Sequence, residues 1–333
     1  MRYFVTGATG FIGGRLARRL AADGHEVTAL VRNPAAASGL AATGTRLHPG
    51  DITDRASMAD GMRGADGVFH VAGWYKIGVR DPSPGIRINV DGTRNVLEMA
   101  RDLGIPKTVY TSTLAVFSDT GGRVVDETYR HDGPWLSEYD RTKWLAHYEV
   151  AEPMVQAGLP LVVVQPGIVY GPGDTSTMRA TLIRYLARRL PVIPKDTGYC
   201  WGHVDDTVGG HVRAMEMGRT GESYIIAGPP HTLIDALAIA EEVTGISAPR
   251  WHVSPSVMRA LSGFLQMAGR ADFAEVLRVA AGVTYWGSSA KAEREFGFHT
   301  RSLREGFRDT LAHEMRMLGI AQQESPAGRR TGR

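Results

Sequence analysis

A short apolar segment followed at once by closely spaced glycines opens the chain and restricts the folds that it can adopt. Residues 3–5 (Tyr-Phe-Val) are typical of a buried strand, and residues 6–13 read TGATGFIG. Beyond this turn, one helical face carries Ile12, Leu16 and Leu20. A strand, a glycine turn and an amphipathic helix in this order predict the first unit of a parallel α/β sheet.

The glycine turn suits an anionic ligand. Glycines leave room for the backbone to approach a pyrophosphate, and a helix start supplies amide donors and a favourable dipole. The spacing departs from the commoner G-x-G-x-x-G fingerprint, and glycines in a tight turn also have a purely structural interpretation. With the strand and the helix in place, we favour a dinucleotide site whose contacts are Gly7, Thr9, Gly10, Phe11, Ile12 and Gly13.

The end of the second predicted strand, residues 27–31, bears on which dinucleotide is bound. In NAD sites an acid about 20 residues beyond the glycines usually holds the ribose hydroxyls, whereas an arginine accommodates the extra phosphate of NADP. Here the position carries Arg32. A solvated arginine at a strand end is the alternative. We expect NADP(H) to be the preferred cofactor, with NAD(H) possible.

Two further predicted strands, residues 46–52 and 67–73, end where a cofactor would lie along the carboxyl edge of a parallel sheet. Asp51 could accept from the adenine amino group or cap the following helix. The cofactor contacts expected at these two strand ends are Asp51, Ile52, Val71, Ala72 and Gly73.

Helix and strand continue to alternate, with a helical pattern at residues 88–100 and a fifth strand at 107–111. This alternation predicts a Rossmann-type, doubly wound parallel sheet with right-handed connections. The fifth strand ends in hydroxyl side chains at residues 111–113, at the same edge as the glycine turn.

A tyrosine and a lysine lie four residues apart in the segment that follows. Ser137 can cap a helix there, with Asp140 in its first turn, so that Tyr139 and Lys143 share one face. A nearby ammonium favours phenolate and eases proton exchange with a substrate oxygen. A surface pair at helical spacing is the alternative.

Composition excludes several functional classes. The 333 residues carry a net charge of +3 from 38 basic and 35 acidic side chains, with no basic stripe that would suit nucleic acid. The single cysteine, Cys200, excludes an intramolecular disulfide, and scattered histidines predict no metal site. Without a signal peptide or an apolar run long enough to span a bilayer, we expect a cytoplasmic protein with no membrane partner.

Taken together, residues 6–13, the hydroxyls after strand five, the Tyr139 and Lys143 pair and residues 165–173 (QPGIVYGPG) resemble the extended short-chain dehydrogenase/reductases. The resemblance covers nearly the whole chain, through residues 203–206 (HVDD) to 289–298 (SAKAEREFGF). Residues 31–34 (VRNP) make the chain most similar to the dihydroflavonol-reductase-like branch. It is also similar to NAD-dependent epimerase/dehydratases.

The resemblance implies a catalytic triad. Tyr139 would exchange a proton with the substrate oxygen, Lys143 would bind the nicotinamide ribose, and Thr113 would hydrogen-bond the same oxygen while hydride passes at the nicotinamide C4. A slip of one residue in alignment would exchange Thr113 with Ser112. Asn89 would support the active site, although a helical asparagine could equally be structural.

The resemblance also implies further contacts. Cofactor residues after the sixth strand would be Pro166, Gly167, Ile168 and Val169. Candidates for the substrate cavity, any of which could instead be ordinary core, are Trp74, Tyr75, Met178, Arg179, Trp201 and His203. A dimer would form through the helix after Asn89 and the helix carrying Tyr139. Leu97, Leu145 and Tyr148 are candidates for its seam, although a monomer would bury some of the same residues against its sheet.

Two domains are expected, because the chain is about twice the usual length of a domain and because the alternation of strands and helices ends after Gly167. The Rossmann domain would comprise residues 1–170 and about 203–228, the substrate lobe about 171–202 and 229–320, and a disordered tail 321–333. Within the lobe we expect a helix at 181–190. An apolar stripe in residues 256–267, formed by Val257, Leu261, Phe264 and Leu265, should be core rather than a membrane anchor.

The expected function is reduction of a ketone or aldehyde, with a small-molecule carbonyl or alcohol as the partner. One alternative is a nucleotide-sugar epimerase or dehydratase that uses the same triad and keeps its cofactor bound. Arg32 disfavours it, because that branch usually holds NAD tightly. A third alternative is a non-catalytic cofactor-sensing protein on the same fold, which would not need the proton-transfer pair.

Overall fold

A computed structural model describes residues 1–320 of the chain, so the predicted disordered tail at 321–333 lies outside the described residues. The strands, in chain order, are β1 (Arg2–Thr6), β2 (Glu26–Val31), β3 (Arg46–Pro49), β4 (Gly67–His70), β5 (Thr108–Thr111), β6 (Leu161–Gln165), β7 (Ile168–Tyr170), β8 (Val192–Pro194), β9 (Gly198–His203), β10 (Ser223–Ile225), β11 (Pro230–Thr232), β12 (Trp251–Val253) and β13 (Thr284–Tyr285).

Helices follow most of the strands. They are α1 (Phe11–Ala22), α2 (Ser38–Ala41), α3 (Ala59–Met62), α4 (Ser83–Gly85), α5 (Gly92–Asp102), α6 (Glu138–Trp144), α7 (Glu152–Gln156), α8 (Thr177–Leu186), α9 (Val204–Met217), α10 (Leu233–Thr244), α11 (Pro255–Met267), α12 (Ala271–Val279), α13 (Ala290–Phe296) and α14 (Leu303–Leu318). Short 3₁₀ turns occur at Ala35–Ala37, Ala56–Met58 and Leu114–Phe117.

Two of the helices contain a π-helical segment. Ile86–Asp91 joins α4 to α5, and Leu145–Ala151 joins α6 to α7, so each set forms one continuous helix. The extra residue in a π turn is often found near functional sites, because it changes the direction of the neighbouring side chains. Asn89 lies in the first of these segments, and the second directly follows the turn that carries Lys143.

The seven-stranded sheet has the order β10-β6-β5-β4-β1-β2-β3, and every neighbouring pair is parallel. Helices pack on both faces, with α1 against α9 on one side and α5 on the other. The predicted doubly wound α/β fold is confirmed. The strand order reverses between β1 and β4, and ligands of such sheets bind in the crevice at the carboxyl ends of the strands on either side of that point.

The turn after β1 explains its glycines. Gly7 has a φ of +72°, and a Cβ atom there would lie 2.6 Å from the backbone nitrogen of Ala72. A Cβ atom on Gly13 would lie 2.3 Å from the carbonyl oxygen of Gly7. These contacts leave no room for a side chain, so the glycines bring α1 and the end of β4 against the turn.

The remaining strands form two small sheets beside the large one. In one, β11, β9 and β13 are adjacent and β7 pairs with β9, whereas β12 pairs with β8 in the other. A second apolar core fills this region and is formed by residues of α8, α10 and α14 around Trp201. The chain returns to the large sheet through α9 and β10, as the sequence predicted.

Three details differ from the sequence-based expectations. The predicted helix at 181–190 begins earlier, at Thr177, because the Ser176 hydroxyl accepts from the amides of Met178 and Arg179. Leu97 and Tyr148 are buried within the single chain, so they cannot form a subunit seam, and Leu145 is half-buried. The expected core stripe of α11 is wrong for Val257, Leu261 and Phe264, which are exposed, while Leu265 is half-buried.

Candidate active site

Tyr139 lies on the first turn of α6, beside the end of β5. Ser137 begins this helix, because its hydroxyl accepts from the Asp140 amide at 3.1 Å and donates to the Asp140 carboxylate at 2.8 Å. The Thr113 hydroxyl lies beside the Tyr139 side chain, and the ring of Tyr75 packs edge-on against Tyr139 with centroids 4.8 Å apart. A hydroxyl pair at the sheet edge, bounded by an aromatic ring, is a suitable place for a substrate oxygen.

Lys143 lies one turn further along α6 and is buried. Its amine donates to the Tyr110 hydroxyl at 3.1 Å and to the Thr111 carbonyl at 2.8 Å. Burial lowers the pKa of this amine from 10.5 to about 7. The β5 strand therefore holds the lysine at the sheet edge, where it can exchange between charged and neutral forms near neutrality.

The pKa of Tyr139 is raised above its usual value of 10.0, mainly by burial, and the neighbouring Thr113 hydroxyl opposes this effect. The direction is opposite to the one expected from a neighbouring ammonium, because burial is the largest effect on this pKa. The Lys143 amine donates to Tyr110 and Thr111. Tyr139 is therefore a neutral phenol over the physiological pH range, and a neutral phenol is a proton donor.

The two candidate hydroxyls after β5 have different surroundings. The Ser112 hydroxyl bonds to Nδ1 of the buried His147 at 2.8 Å. The Thr113 hydroxyl faces Tyr139 and also accepts from the Ala115 amide at 3.2 Å. Of the two residues, Thr113 is the one that lies beside the tyrosine.

Asn89 connects two parts of the site. Its side-chain oxygen accepts from the Trp74 amide at 2.7 Å, while its nitrogen donates to the Trp74 carbonyl at 3.0 Å and to the Thr142 hydroxyl at 2.9 Å. Asn89 thereby fixes the loop after β4 to the helix that carries Tyr139 and Lys143.

The first turn of α1 fits the diphosphate of a dinucleotide. Its first residues follow Gly10, which provides no side-chain cap, and both Thr9 and Gly10 are exposed. Uncapped amides at a helix start are anion donors. A cleft of about 600 Å³ opens in front of them, and its lining includes Thr9, Gly10, Phe11, Arg15, Arg18 and Arg19.

Residues at the ends of β2 and β3 fit the adenosine side of such a ligand. Arg32 is exposed at the carboxyl end of β2. One carboxylate oxygen of Asp51, Oδ1, accepts from the amide and the hydroxyl of Thr53. Asp51 therefore also stabilises the local turn, which was the alternative to a contact with adenine. Ile52 is buried against α5.

The other predicted cofactor residues line the same sheet edge. The Ala72 amide donates to the Thr6 hydroxyl at 3.2 Å, with Val71 and Gly73 on either side. Beyond β6, the Pro166 carbonyl accepts from the Leu114 amide at 3.0 Å. Gly167 packs on β9, where a Cβ atom would lie 2.3 Å from the Cys200 carbonyl, and Ile168 and Val169 continue into β7.

The structure brings only some of the predicted substrate residues to Tyr139. Trp74 and Tyr75 lie on the loop that Asn89 holds, next to the site. Arg179 forms a two-pronged ion pair with the buried Glu314, at 2.8 and 2.9 Å. The other three candidates have structural roles. Met178 and Trp201 are buried in the core around α8, and His203 caps the start of α9.

Sequence reasoning missed a polar group directly behind Tyr139. The buried Asp140 accepts from the Tyr285 hydroxyl at 3.1 Å, and the Tyr285 ring is parallel to that of Tyr199 with centroids 6.0 Å apart. Burial raises the pKa of Asp140 from 3.8 to about 7. No local signal identifies this cluster, because Tyr285 lies 145 residues further along the chain.

The fold is that of a nucleotide-binding α/β protein, and comparisons with known proteins refine this class. The profile described as the NAD dependent epimerase/dehydratase family matches residues 3–227. A relative in Synechocystis sp., provisionally named dihydroflavonol 4-reductase, is 35% identical over 256 residues, which is 74% of each chain. The chain belongs to the NAD dependent epimerase/dehydratase family.

Two further comparisons extend over nearly the full length. A 4-hydroxy-2-methyl-3-oxo-4-farnesyl-3,4-dihydroquinoline-1-oxide ketoreductase of Stigmatella aurantiaca is 31% identical over 342 residues, covering 98% of each chain. The crystal structure of gox2253 superposes with a TM-score of 0.83 at 29% identity, covering 95% of this chain and 98% of the other.

The predicted extended short-chain dehydrogenase/reductase family and its dihydroflavonol-reductase-like affinity are confirmed. Membership identifies an enzyme of the oxidoreductase or epimerase type that uses a nicotinamide cofactor. Within residues 1–320, no helix is long and apolar enough to cross a membrane, and no cluster of side chains suits a metal ion.

Proposed function

We propose that the chain is an NADP-dependent reductase of a ketone or aldehyde. The observation that carries this proposal is the neutral Tyr139 phenol, which lies beside the Thr113 hydroxyl at the carboxyl edge of the sheet. Reduction of a carbonyl adds a proton to the developing alkoxide, and a phenol whose pKa is raised remains protonated until that oxygen approaches. When bound, the nicotinamide supplies the hydride.

Each member of the triad has a distinct task in this proposal. Tyr139 gives its proton to the substrate oxygen, and the Thr113 hydroxyl donates a second hydrogen bond to the same oxygen. Lys143 lies one helical turn behind, where its amine is available to the nicotinamide ribose and can favour the phenolate that forms. Asn89 is a positioning residue, because it contacts Trp74 and Thr142.

NADP is the proposed cofactor because Arg32 occupies the strand end where NAD-specific sites carry an acid. An exposed guanidinium there can donate two hydrogen bonds to the adenosine phosphate. NAD(H) remains a secondary substrate in this proposal. We also propose that β8, β11, β12 and the helices α8, α10 to α12 and α14 form the substrate lobe, and that the enzyme is cytoplasmic.

Arg179 bears on the nucleotide-sugar epimerase or dehydratase alternative. It was the candidate partner for a sugar diphosphate, but Glu314 occupies its guanidinium. Without a free cation at that place, the family similarity is the main support for a nucleotide-sugar substrate. The name of the Stigmatella relative describes a ketoreductase, and this also favours carbonyl reduction. A homodimer stays a prediction, without Leu97 and Tyr148 in its interface.

The experiment that tests this proposal has two parts. Absorbance of the purified protein, before and after denaturation, shows whether a nucleotide copurifies and whether it is NADP or NAD. NADPH consumption is then followed against a panel of aliphatic, aromatic and isoprenoid ketones and aldehydes. Net oxidation of NADPH supports the proposal, whereas turnover of nucleotide sugars with no net change in the cofactor would refute it.

A further inference from the structure

A buried chain of polar side chains joins Lys143 to the glycine turn. The Lys143 amine donates to the Tyr110 hydroxyl at 3.1 Å, and the Thr93 hydroxyl lies beside that phenol. Thr93 is hydrogen-bonded to Nε2 of His70 at 3.0 Å, and Nδ1 of His70 is bonded to the Thr6 hydroxyl at 2.8 Å. Thr6 is the last residue of β1, where the glycine turn begins. The chain of side chains therefore runs from α6 to the turn proposed to hold the cofactor.

The strand register aligns three members of this chain. Thr6 pairs with His70 between β1 and β4, and His70 pairs with Tyr110 between β4 and β5. Paired residues of neighbouring strands point to the same face of a sheet. The ring of His70 also stacks on that of Tyr110, with centroids 5.4 Å apart. The sheet thus orients these side chains toward α5, the helix that carries Thr93.

Burial requires these polar groups to be satisfied by one another. Thr6, His70 and Tyr110 are fully buried, and so is nearly all of Thr93. Burial, together with the charge of Lys143, lowers the pKa of His70 to about 3, so its ring is neutral. A neutral imidazole donates at one nitrogen and accepts at the other. In either tautomer, His70 therefore links the hydroxyls of Thr93 and Thr6, and the link avoids the cost of burying them without partners.

The Lys143 amine depends on this chain because its other partners are few. Within residues 1–320 no acid forms an ion pair with the amine, whose hydrogen bonds go to the Tyr110 hydroxyl and the Thr111 carbonyl. The titratable side chains around it are Tyr110, Tyr139, His70 and His147. Burial lowers the pKa of both histidines to about 3, so they are neutral and supply no opposite charge. An oxygen that accepts from an ammonium favours its charged form, and the Tyr110 oxygen has this position.

We propose that Tyr110 and His70 are positioning residues for Lys143. In this proposal, which rests on the proposed function, the Tyr110 oxygen holds the amine toward the nicotinamide ribose, and His70 holds the Tyr110 side chain. The Ala72 amide donates to the Thr6 hydroxyl at 3.2 Å. The same chain thus reaches both segments proposed to hold the cofactor, the glycine turn and the end of β4. Both residues act through Lys143.

Ordinary core packing is the alternative explanation. The stacked rings of His70 and Tyr110 would then contribute to stability alone, and loss of the Tyr110 hydroxyl would leave Lys143 unchanged. The two explanations differ in a measurable property, the pKa of Lys143. Tyr110→Phe keeps the stacked ring and removes an oxygen that accepts from the ammonium, so in our proposal it lowers this pKa.

Carbon NMR of the lysine side chains tests the proposal without cofactor or substrate. The lysines of the chain are Lys76, Lys107, Lys143, Lys195 and Lys291. Labelling of lysine with ¹³C at Cε therefore gives few signals, and Lys143→Met identifies the one of interest. Tyr110→Phe should lower the pKa of Lys143 by about 1, a tenfold loss of proton affinity. Tyr3→Phe, the matched control, removes a phenol hydroxyl from β1 of the same sheet and should leave this pKa unchanged.

Two variants of Thr93 test the role of His70. Thr93→Val has nearly the same shape but no hydroxyl, so it breaks the link between His70 and Tyr110, whereas Thr93→Ser keeps the hydroxyl. We expect Thr93→Val to lower the pKa of Lys143, because the Tyr110 hydroxyl loses the partner that orients it. Thr93→Ser should retain the wild-type value. An unchanged pKa of Lys143 in Tyr110→Phe would overturn the proposal, and equal values in the two Thr93 variants would overturn the role of His70.

Calorimetric titration with NADP separates this proposal from the proposed function. Burial lowers the pKa of Lys143 to about 7, so at about pH 7 Tyr110→Phe should carry less ammonium and bind NADP about fivefold more weakly. At about pH 5 it should bind as the wild type does. Equal weakening at both pH values would indicate a structural role and overturn the proposal. A lowered pKa of Lys143 with unchanged NADP affinity would support the positioning by Tyr110 and refute the proposed role of Lys143 at the cofactor.

Discussion

The Tyr285 hydroxyl donates a hydrogen bond of 3.1 Å to the carboxyl group of Asp140, the residue that follows the candidate proton donor Tyr139. Asp140 is buried, and its other oxygen accepts from Ser137 at the start of α6. Through this pair, β13 is joined to α6, the helix that carries Tyr139. A change at either residue can therefore alter the orientation of Tyr139 without touching a substrate.

The raised pKa of Asp140 predicts a specific dependence of stability on pH. Because the folded pKa is about 7 and the unfolded value 3.8, the folded chain keeps a proton that the unfolded chain releases between these limits. This proton makes its full contribution to the free energy of unfolding below about pH 4, and the contribution is lost as the pH rises through about 7. Asp140→Asn, which does not titrate, should thus become more stable relative to the wild type as the pH rises. Urea unfolding at about pH 5 and about pH 8 measures this, and an unchanged difference between the two proteins would contradict it.

The sequence predicted much of the fold and part of the site. The large sheet, the glycine turn and the spacing of Tyr139 and Lys143 are local patterns, and local patterns can be recognised from sequence. The contact between Asp140 and Tyr285 could not be predicted, because it depends on how β13 packs against α6. The stripe of α11 was assigned to the core because helical periodicity identifies an apolar face but does not show what covers it.

Arg32 should determine the choice between the two dinucleotides. Arg32→Asp removes the contact to the adenosine phosphate and adds a like charge, so affinity for NADP should fall by about tenfold to a hundredfold, about 1.5–3 kcal/mol. Affinity for NAD should rise or stay constant. Titration calorimetry with both cofactors measures the change. Arg46→Asp is the control, since Arg46 is exposed at the start of β3, away from the carboxyl ends of the strands. Equal wild-type affinities for NADP and NAD would contradict the prediction.

Thr113 and Ser112 should have different effects on turnover. Thr113→Val removes the hydroxyl that contacts Tyr139 and should lower kcat by roughly tenfold or more, the cost of one hydrogen bond to a developing charge. Ser112→Ala removes a bond to His147 and should affect stability more than kcat. Steady-state kinetics and thermal unfolding of both variants measure these effects. The reverse ranking of the two kcat values would show that Ser112 is the catalytic hydroxyl.

Lys143 should support cofactor binding and turnover but lower the stability of the folded chain. Burial disfavours its charged form, so Lys143→Met, which keeps an apolar chain of similar length, should not lower the melting temperature and should raise it at about pH 6. The same variant should lose cofactor affinity and kcat together, because the amine is proposed to act on both. Differential scanning calorimetry and cofactor titration measure the two effects. A variant that melts earlier and still binds NADPH normally would contradict this assignment.

The most direct test of the account is the rate of NADPH-dependent carbonyl reduction by Tyr139→Phe. This change removes one hydroxyl and keeps the ring that packs against Tyr75, so cofactor affinity and melting temperature should change little. Turnover should fall by about two to four orders of magnitude, the usual contribution of a positioned acid. Near-normal reduction by Tyr139→Phe, at unchanged cofactor affinity, would contradict the assignment of Tyr139 as the proton donor.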